Sequence, residues 1–160
     1  GRLEHGVIYD PMRQELFTAS RGGGAQVDGR RIRVSKQTTL EGALVATGFP
    51  QRDNSRWLDD YMALLKAMML ATAGVRRPGA ASLDLAYVAA GRVDGFWEIG
   101  LSAWDTAAGT LLITEAGGRI GTLTGQPYTQ GGHVVAGTPK VFDELVACIS
   151  PFVPANLRDV

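Results

Sequence analysis

The stretch from Gly79 to Gly118, GAASLDLAYVAAGRVDGFWEIGLSAWDTAAGTLLITEAGG, constrains this chain more than any other. It reads as helix, strand, helix. The apolar run Leu83 to Ala90 ends at Gly91 and is opened by the small residues Gly79-Ala80-Ala81, where unpaired N–H groups of a first helical turn point outward and a ligand can approach closely. Val93-Asp94-Gly95-Phe96-Trp97-Glu98 is a short strand, and Ser102 opens the second helix. Elements alternating in this way predict an α/β fold, in which ligand-binding acids lie beyond the carboxyl ends of strands. Glu98 closes the strand, and Asp105 falls in the first turn of the helix that follows.

Both acids have a structural reading beside the functional one. Ser102-Ala103-Trp104-Asp105 has capping-box spacing, and an acid in that turn is favoured by the helix dipole. Glu98 can be a solvated strand end. The argument for function is the setting. Trp97 and Trp104 flank the pair, and a carboxylate among indoles needs a cation, a metal or a hydrogen-bond donor.

At 160 residues, 45% of them hydrophobic, the chain is long enough for a real core. Sixteen basic and sixteen acidic residues cancel, so bulk charge argues for neither nucleic acid nor membrane. The single Cys148 excludes an internal disulfide framework, which agrees with a cytoplasmic location. No stretch approaches the ~18 unbroken apolar residues of a membrane span.

Elsewhere, residues 6 to 20 form a hairpin turning at Asp10-Pro11, and Ala25–Val27 pairs with Arg31–Ser35 across Asp28-Gly29, a type I′ signal. Gly22-Gly23-Gly24 lacks the Gly-Lys-Ser/Thr that a phosphate-cradling P-loop requires. Arg30, Arg31, Arg33 and Lys36 form the densest basic patch. It reads either as a guarded edge strand or as a contact for an anionic partner such as RNA. Leu44 to Pro50 is a buried strand, Gln51 to Ser55 a polar loop, and Ser55 to Ala71 a helix with Trp57, Leu58, Tyr61, Leu64, Leu65, Met68 and Met69 at helical spacing. Arg119–Leu123 and His133–Ala136 are strands, Thr138-Pro139 starts a last helix, and residues 151–160 are a frayed tail. His5 and His133 have no matching nucleophile–acid pattern and read as structural.

WDTAAGTLLITEAGG, residues 104 to 118, resembles the signature W-D-x-A-A-G-x-x-[LI]-[LIV]-x-E-A-G-G of the inositol monophosphatase family. GVIYDPMRQELFTASRGGGAQVDGRRIRVS, LVATGFP, RRPGAASLDLAYVAAGRVDGFWEIGL and HVVAGTPKV agree with the family in order and spacing, in particular with its bacterial SuhB-like branch. The resemblance runs from Gly1 to about Ile149. It implies the C-terminal part of a layered αβαβα sandwich, with residues 1–40 ending an N-terminal antiparallel sheet region, 41–150 forming a C-terminal α/β domain and 151–160 the tail.

The implied activity of the parent protein is Mg²⁺-dependent hydrolysis of inositol monophosphate or a similar sugar phosphate. Asp105 would be the catalytic metal ligand, also meeting substrate, while Glu98 would accept from substrate hydroxyls. Arg76 and the Gly79-Ala80-Ala81 backbone would complete the substrate pocket. The family's Glu-Glu pair and Asp-Pro-x-Asp-Gly-Thr motif do not occur here, so the chain is expected to be a C-terminal fragment, inactive alone. The resemblance further implies a homodimer, and through the SuhB-like branch it implies a protein or RNA partner in ribosomal RNA transcription complexes.

Overall fold

The computed structural model describes residues 1–50 and 52–158. The chain opens with a hairpin of β1 (His5–Asp10) and β2 (Glu15–Ser20). Its turn is held by Asp10, whose Oδ1 accepts the N–H groups of Met12 at 3.0 Å and Arg13 at 3.2 Å. The second hairpin joins β3 (Gly24–Val27) to β4 (Arg30–Arg31). Asp28 and Gly29 have φ of 48° and 75°, the two positive values a type I′ turn demands. The four strands form one antiparallel sheet in the order β1-β2-β3-β4. The strand expected to reach Ser35 stops at Arg31, because the chain swings away and the Val34 N–H donates instead to the Ala116 carbonyl at 3.2 Å.

The second sheet has five strands in the order β6-β5-β7-β9-β8: β5 (Leu44–Thr47), β6 (Gly74–Arg76), β7 (Gly95–Leu101), β8 (Arg119–Gly121) and β9 (Gly132–Gly137). β5 runs parallel to both β6 and β7, while β9 is antiparallel to β7 and β8. β6 had no pattern to announce it, being three residues long. Among the described residues four α-helices complete the fold: α1 (Leu58–Ala71), α2 (Ala81–Ala89), α3 (Ala103–Glu115) and α4 (Pro139–Ile149). Residues 52–57, expected as loop and helix start, form a 3-10 turn ahead of α1, and Gln51 lies outside the described residues. α4 starts where Thr138 Oγ1 accepts the Val141 N–H at 3.1 Å.

The layers are sheet, helices, sheet, helices. α2 and α3 lie between the two sheets, and Phe17, Leu85, Phe96, Leu112 and Ile113 share one core there. α1 and α4 cover the far face of the second sheet, where Tyr61, Leu64, Trp97, Leu145 and Ile149 share another. The expected loose tail is an anchor as far as it is described: Val153 and Leu157 are buried in the second core, and residues 159 and 160 lie outside the described part. Among the described residues no helix is long and apolar enough to cross a membrane.

Between α2 and α3 the helices approach closely. A Cβ added at Gly109 would meet the Leu85 side chain at 2.6 Å. Alanine is favoured over glycine inside a helix by about 1 kcal/mol, but forced overpacking costs roughly 1–3 kcal/mol, so packing decides the sign. Gly109→Ala should lower stability, and Gly109→Val should lower it further, as read from denaturant midpoints.

Candidate active site

The chain leaves β5 to cross by α1 on one face of the sheet to β6, and leaves β6 to cross by α2 on the other face to β7. With the strand order β6-β5-β7, the crossovers part between the carboxyl ends of β5 and β7, the place where open α/β sheets bind ligands. Gly48 follows β5 there and Glu98 sits on β7. A cleft of ≈ 190 Å³ is lined by Gly48, Asn54, Arg77, Gly79, Glu98 and Gly100, together with Phe49 and Ile99.

Glu98 lies directly against the bare Cα of Gly48. A Cβ at position 48 would overlap all three atoms of the Glu98 carboxyl group. Burial raises the Glu98 carboxyl to about 7, helped by the negative charges of Asp84 and Asp105 and opposed by Arg77. The indoles are not its surroundings. Trp97 belongs to the core on the other face of the sheet, as strand alternation requires, and Trp104 is 82% exposed.

Asp105 does cap α3. Its Oδ2 accepts the Ser102 N–H at 2.9 Å, with Ser102 as N-cap residue. The carboxylate is half-buried. Asp105 is not in the wall of the cleft; it acts on Glu98 through its charge.

Of the expected pocket residues, Gly79 lines the cleft and Arg76 does not. Gly79 has φ of 102°, a conformation that favours glycine, and a Cβ there would stand 3.0 Å from Arg77 Nη1. Ala80 is the N-cap of α2 and Ala81 its first residue, next to Gly79 in the chain but not themselves part of the cleft lining. Arg76 turns back to donate from Nη1 to the Val75 carbonyl at 3.1 Å. It lines a neighbouring apolar cavity of ≈ 250 Å³ with Thr47, Leu65, Met69 and Val75. The guanidinium facing Glu98 is Arg77, stacked 4.9 Å over the Phe49 ring and reaching both cavities.

Sequence reasoning missed Asp84. It is 1% exposed, and neither carboxylate oxygen has a hydrogen-bond partner among the described residues. Burial raises it to about 7, with Arg77 offsetting part of the effect. The signal was present: Asp84 is the one charge in the apolar run of α2. Asn54 and Gly48 were missed as well, because only the fold brings them to Glu98. Among the described residues no group of three or more His, Cys, Asp and Glu side chains is placed to hold a metal ion.

The glycine turn at Gly22–Gly24, rejected as a P-loop, holds an anion from its own chain. Gly22 and Gly24 N–H groups donate to the Glu115 carboxylate at 2.8 and 2.9 Å, which keeps that carboxyl below its usual range.

These features are those of the sugar-phosphatase type of layered α/β fold, and comparison with known proteins agrees. The profile of the inositol monophosphatase family matches residues 1–155, and the chain belongs to that family. It is similar to the Pseudomonas aeruginosa protein called Nus factor SuhB, at 57% identity over 99% of this chain and 59% of the relative. The Escherichia coli protein of the same name is 51% identical over 99% of this chain and 57% of the relative. Among solved structures, extragenic suppressor protein SuhB from Bartonella henselae superposes with TM-score 0.87 at 43% identity, covering 91% of this chain and 56% of that one. Inositol monophosphatase from Anabaena gives TM-score 0.87 at 38% identity, covering 96% and 63%. The chain thus spans about three-fifths of the length of the relatives it matches.

Asp84 gives a signed expectation for stability. Its carboxyl titrates near 3.8 when unfolded and about 7 when folded, so between these values the unfolded state releases its proton first. Stability is lost as pH rises through that window and stays low above it. Asp84→Asn should therefore raise Tm at pH 8 by roughly 3 °C or more, with the gap closing toward pH 4 in thermal melts.

Proposed function

We propose that the protein to which this chain belongs is a Mg²⁺-dependent phosphomonoesterase acting on inositol monophosphate or a similar sugar phosphate. The observation that carries the reading is the Glu98 carboxylate seated on bare Gly48 at the strand switch point, with Arg77 and Gly79 beside it and the Asp105 carboxylate near enough for its charge to act on Glu98. Family membership supports the phosphatase class.

Each residue has work suited to its chemistry. Glu98, half-buried against Gly48, accepts hydrogen bonds from ring hydroxyls and orients the sugar. Arg77 presents a planar set of donors suited to phosphate oxygens or hydroxyls. Arg76, on the neighbouring cavity, would meet only a substrate that extends past Phe49. Gly79 and the first turn of α2, with Ala80 and Ala81, let the ligand approach the backbone.

Asp105 Oδ1 is a hard oxygen donor of the kind Mg²⁺ takes. It is one ligand, and the rest are assigned to the part of the protein this chain does not span. A bound divalent ion would supply charge shielding at the phosphate and activation of water. A cytoplasmic homodimer belongs to the same reading, on the strength of the family resemblance.

A second reading is favoured by the name Nus factor carried by the SuhB relatives. In it the protein also binds RNA or a protein of a transcription complex. The feature that suits this is the exposed edge strand β4, with Arg30 and Arg31 and the neighbouring Arg33 and Lys36. Two of these are partly tied down: Arg31 donates to the Gly23 carbonyl at 3.1 Å, and Arg33 to the Glu115 carbonyl at 3.3 Å. Replacing Arg30 and Lys36 by Glu should weaken RNA binding in mobility-shift assays at low salt, and unchanged binding would remove this surface from consideration.

For the enzyme, hydrogen bonds to charged groups are worth about 1.5–3 kcal/mol. Glu98→Gln in the full-length protein should therefore raise KM for inositol 1-phosphate by roughly 10–100-fold. Asp105→Asn should lower kcat and move the Mg²⁺ titration midpoint upward. Residues 1–160 alone should hydrolyse nothing, and turnover by the isolated chain would refute the mechanism.

A further inference from the structure

Strand β7 does not run straight through the site. Opposite β9, Glu98 pairs with Val134 and Leu101 with Gly132, so β7 uses one residue more than its partner between these positions. That extra residue is a β-bulge, which bends a strand and shifts its alternation. The shift is visible in the packing. Ile99 belongs to the core under α1 and α4, whereas Leu101 packs against the core between the sheets. In a regular strand two residues spaced by two share a face. The bulge therefore carries the chain back to the Glu98 side of the sheet just before Ser102, and α3 begins there with Asp105 in its first turn.

Gly100 is the centre of the bulge, with φ of 78°. Removed from the ladder, its N–H and C=O both need partners, and each finds a side chain. The Gly100 N–H donates to His133 Nδ1 at 2.9 Å. The Gly100 carbonyl accepts from Asn54 Nδ2, also at 2.9 Å. Asn54 lies so close over Gly100 that an added Cβ would overlap its amide group.

His133 is built for one state. It is 1% exposed, and its ring meets Trp57 edge-on at 4.9 Å between centroids. Accepting at Nδ1 requires that atom to carry no proton. Burial, with Arg56 nearby, lowers the imidazole to about 4, and the Gly100 N–H donating to Nδ1 leaves the ring proton on Nε2, which is buried without a hydrogen-bond partner among the described residues. A histidine that reads from sequence as inert core is a backbone clamp.

We infer that His133 and Asn54 are positioning residues of the site: from two different elements they hold both polar groups of Gly100, and with them the bulge that sets Glu98 and Asp105 on the same side of the sheet. The role assigned to Glu98 rests on the phosphatase reading above; the clamp itself rests on the backbone geometry.

The test uses the full-length protein, with His133→Phe (a ring without the acceptor), His133→Asn (an acceptor at the place of Nδ1) and Asn54→Leu on the outer side of the bulge. Two readouts are taken. One is hydrogen exchange of the peptide covering residues 98–104, measured by mass spectrometry; the other is KM and kcat for inositol 1-phosphate with Mg²⁺. His133→Phe and Asn54→Leu should each speed exchange in that peptide. Each should also raise KM roughly tenfold, equivalent to about 1.4 kcal/mol, with a smaller change in kcat. His133→Asn should stay within about threefold of wild type.

Wild-type exchange and KM in both His133→Phe and Asn54→Leu would overturn the inference, as would His133→Asn behaving like His133→Phe. If His133→Phe does not fold, Asn54→Leu and His133→Asn still decide the matter. A wild-type enzyme that hydrolyses no sugar phosphate would defeat the phosphatase reading instead, and the exchange measurement, which needs no turnover, would still judge the clamp.

Discussion

The tight seating of α3 governs the geometry of the cleft. On one side Gly109 lets the helix lie against Leu85 of α2; on another, Gly6 of β1 leaves so little room that an added Cβ would stand 3.0 Å from the Ala108 carbonyl. Glycines on two contacts lock the helix between its neighbours without side chains to hold them apart. With α3 fixed between the sheets, its N-terminus ends at the same edge as the N-terminus of α2 and the carboxyl ends of β5 and β7. Polar backbone groups and acids gather at that edge because the layers on either side of it are filled with apolar side chains.

Among the described residues, charge at the edge is predominantly negative. Asp84, Glu98 and Asp105 act together there, and Arg77 opposes the effect on Asp84 and Glu98. Removing a carboxylate from water without a full complement of partners favours its protonated form, which is why buried Asp84 and half-buried Glu98 are both raised to about 7. Such an arrangement makes little sense as pure scaffolding, since an amide or an apolar residue would fit at lower cost. On the proposed phosphatase reading, substrate hydroxyls and a bound divalent ion would supply the missing partners. Structural acids elsewhere contrast with these. Asp10 accepts from Tyr87 Oη at 2.7 Å and from two backbone N–H groups, and its carboxyl lies below the usual range.

Much of this was legible in the residues. The hairpin turns follow from Asp10-Pro11 and Asp28-Gly29, the helices from apolar periodicity, and the capping role of Asp105 from its distance to Ser102. The family followed from collinear motifs. The misses have a common cause. Arg76 and Arg77 are adjacent, and nothing in their spacing says which one a three-residue strand will turn toward the cleft. Asp84 sits in an apolar run that reads as core, and it is core, except that its carboxyl is within the field of Glu98. Trp97 and Trp104 flank the acids in sequence but face a different core and the solvent.

The sequence by itself determined the alternation of helix and strand, because periodicity, caps and turns are local properties written in short spacings, and its collinear motifs carried the family and with it the layered fold. Tertiary structure alone decided that Gly48 lies under Glu98, that Arg77 faces it, and that Asn54 and His133 grip Gly100. Those contacts join residues up to 50 positions apart, as 48 and 98 are. They arise from strand register and a single extra residue in β7, and no local pattern encodes either.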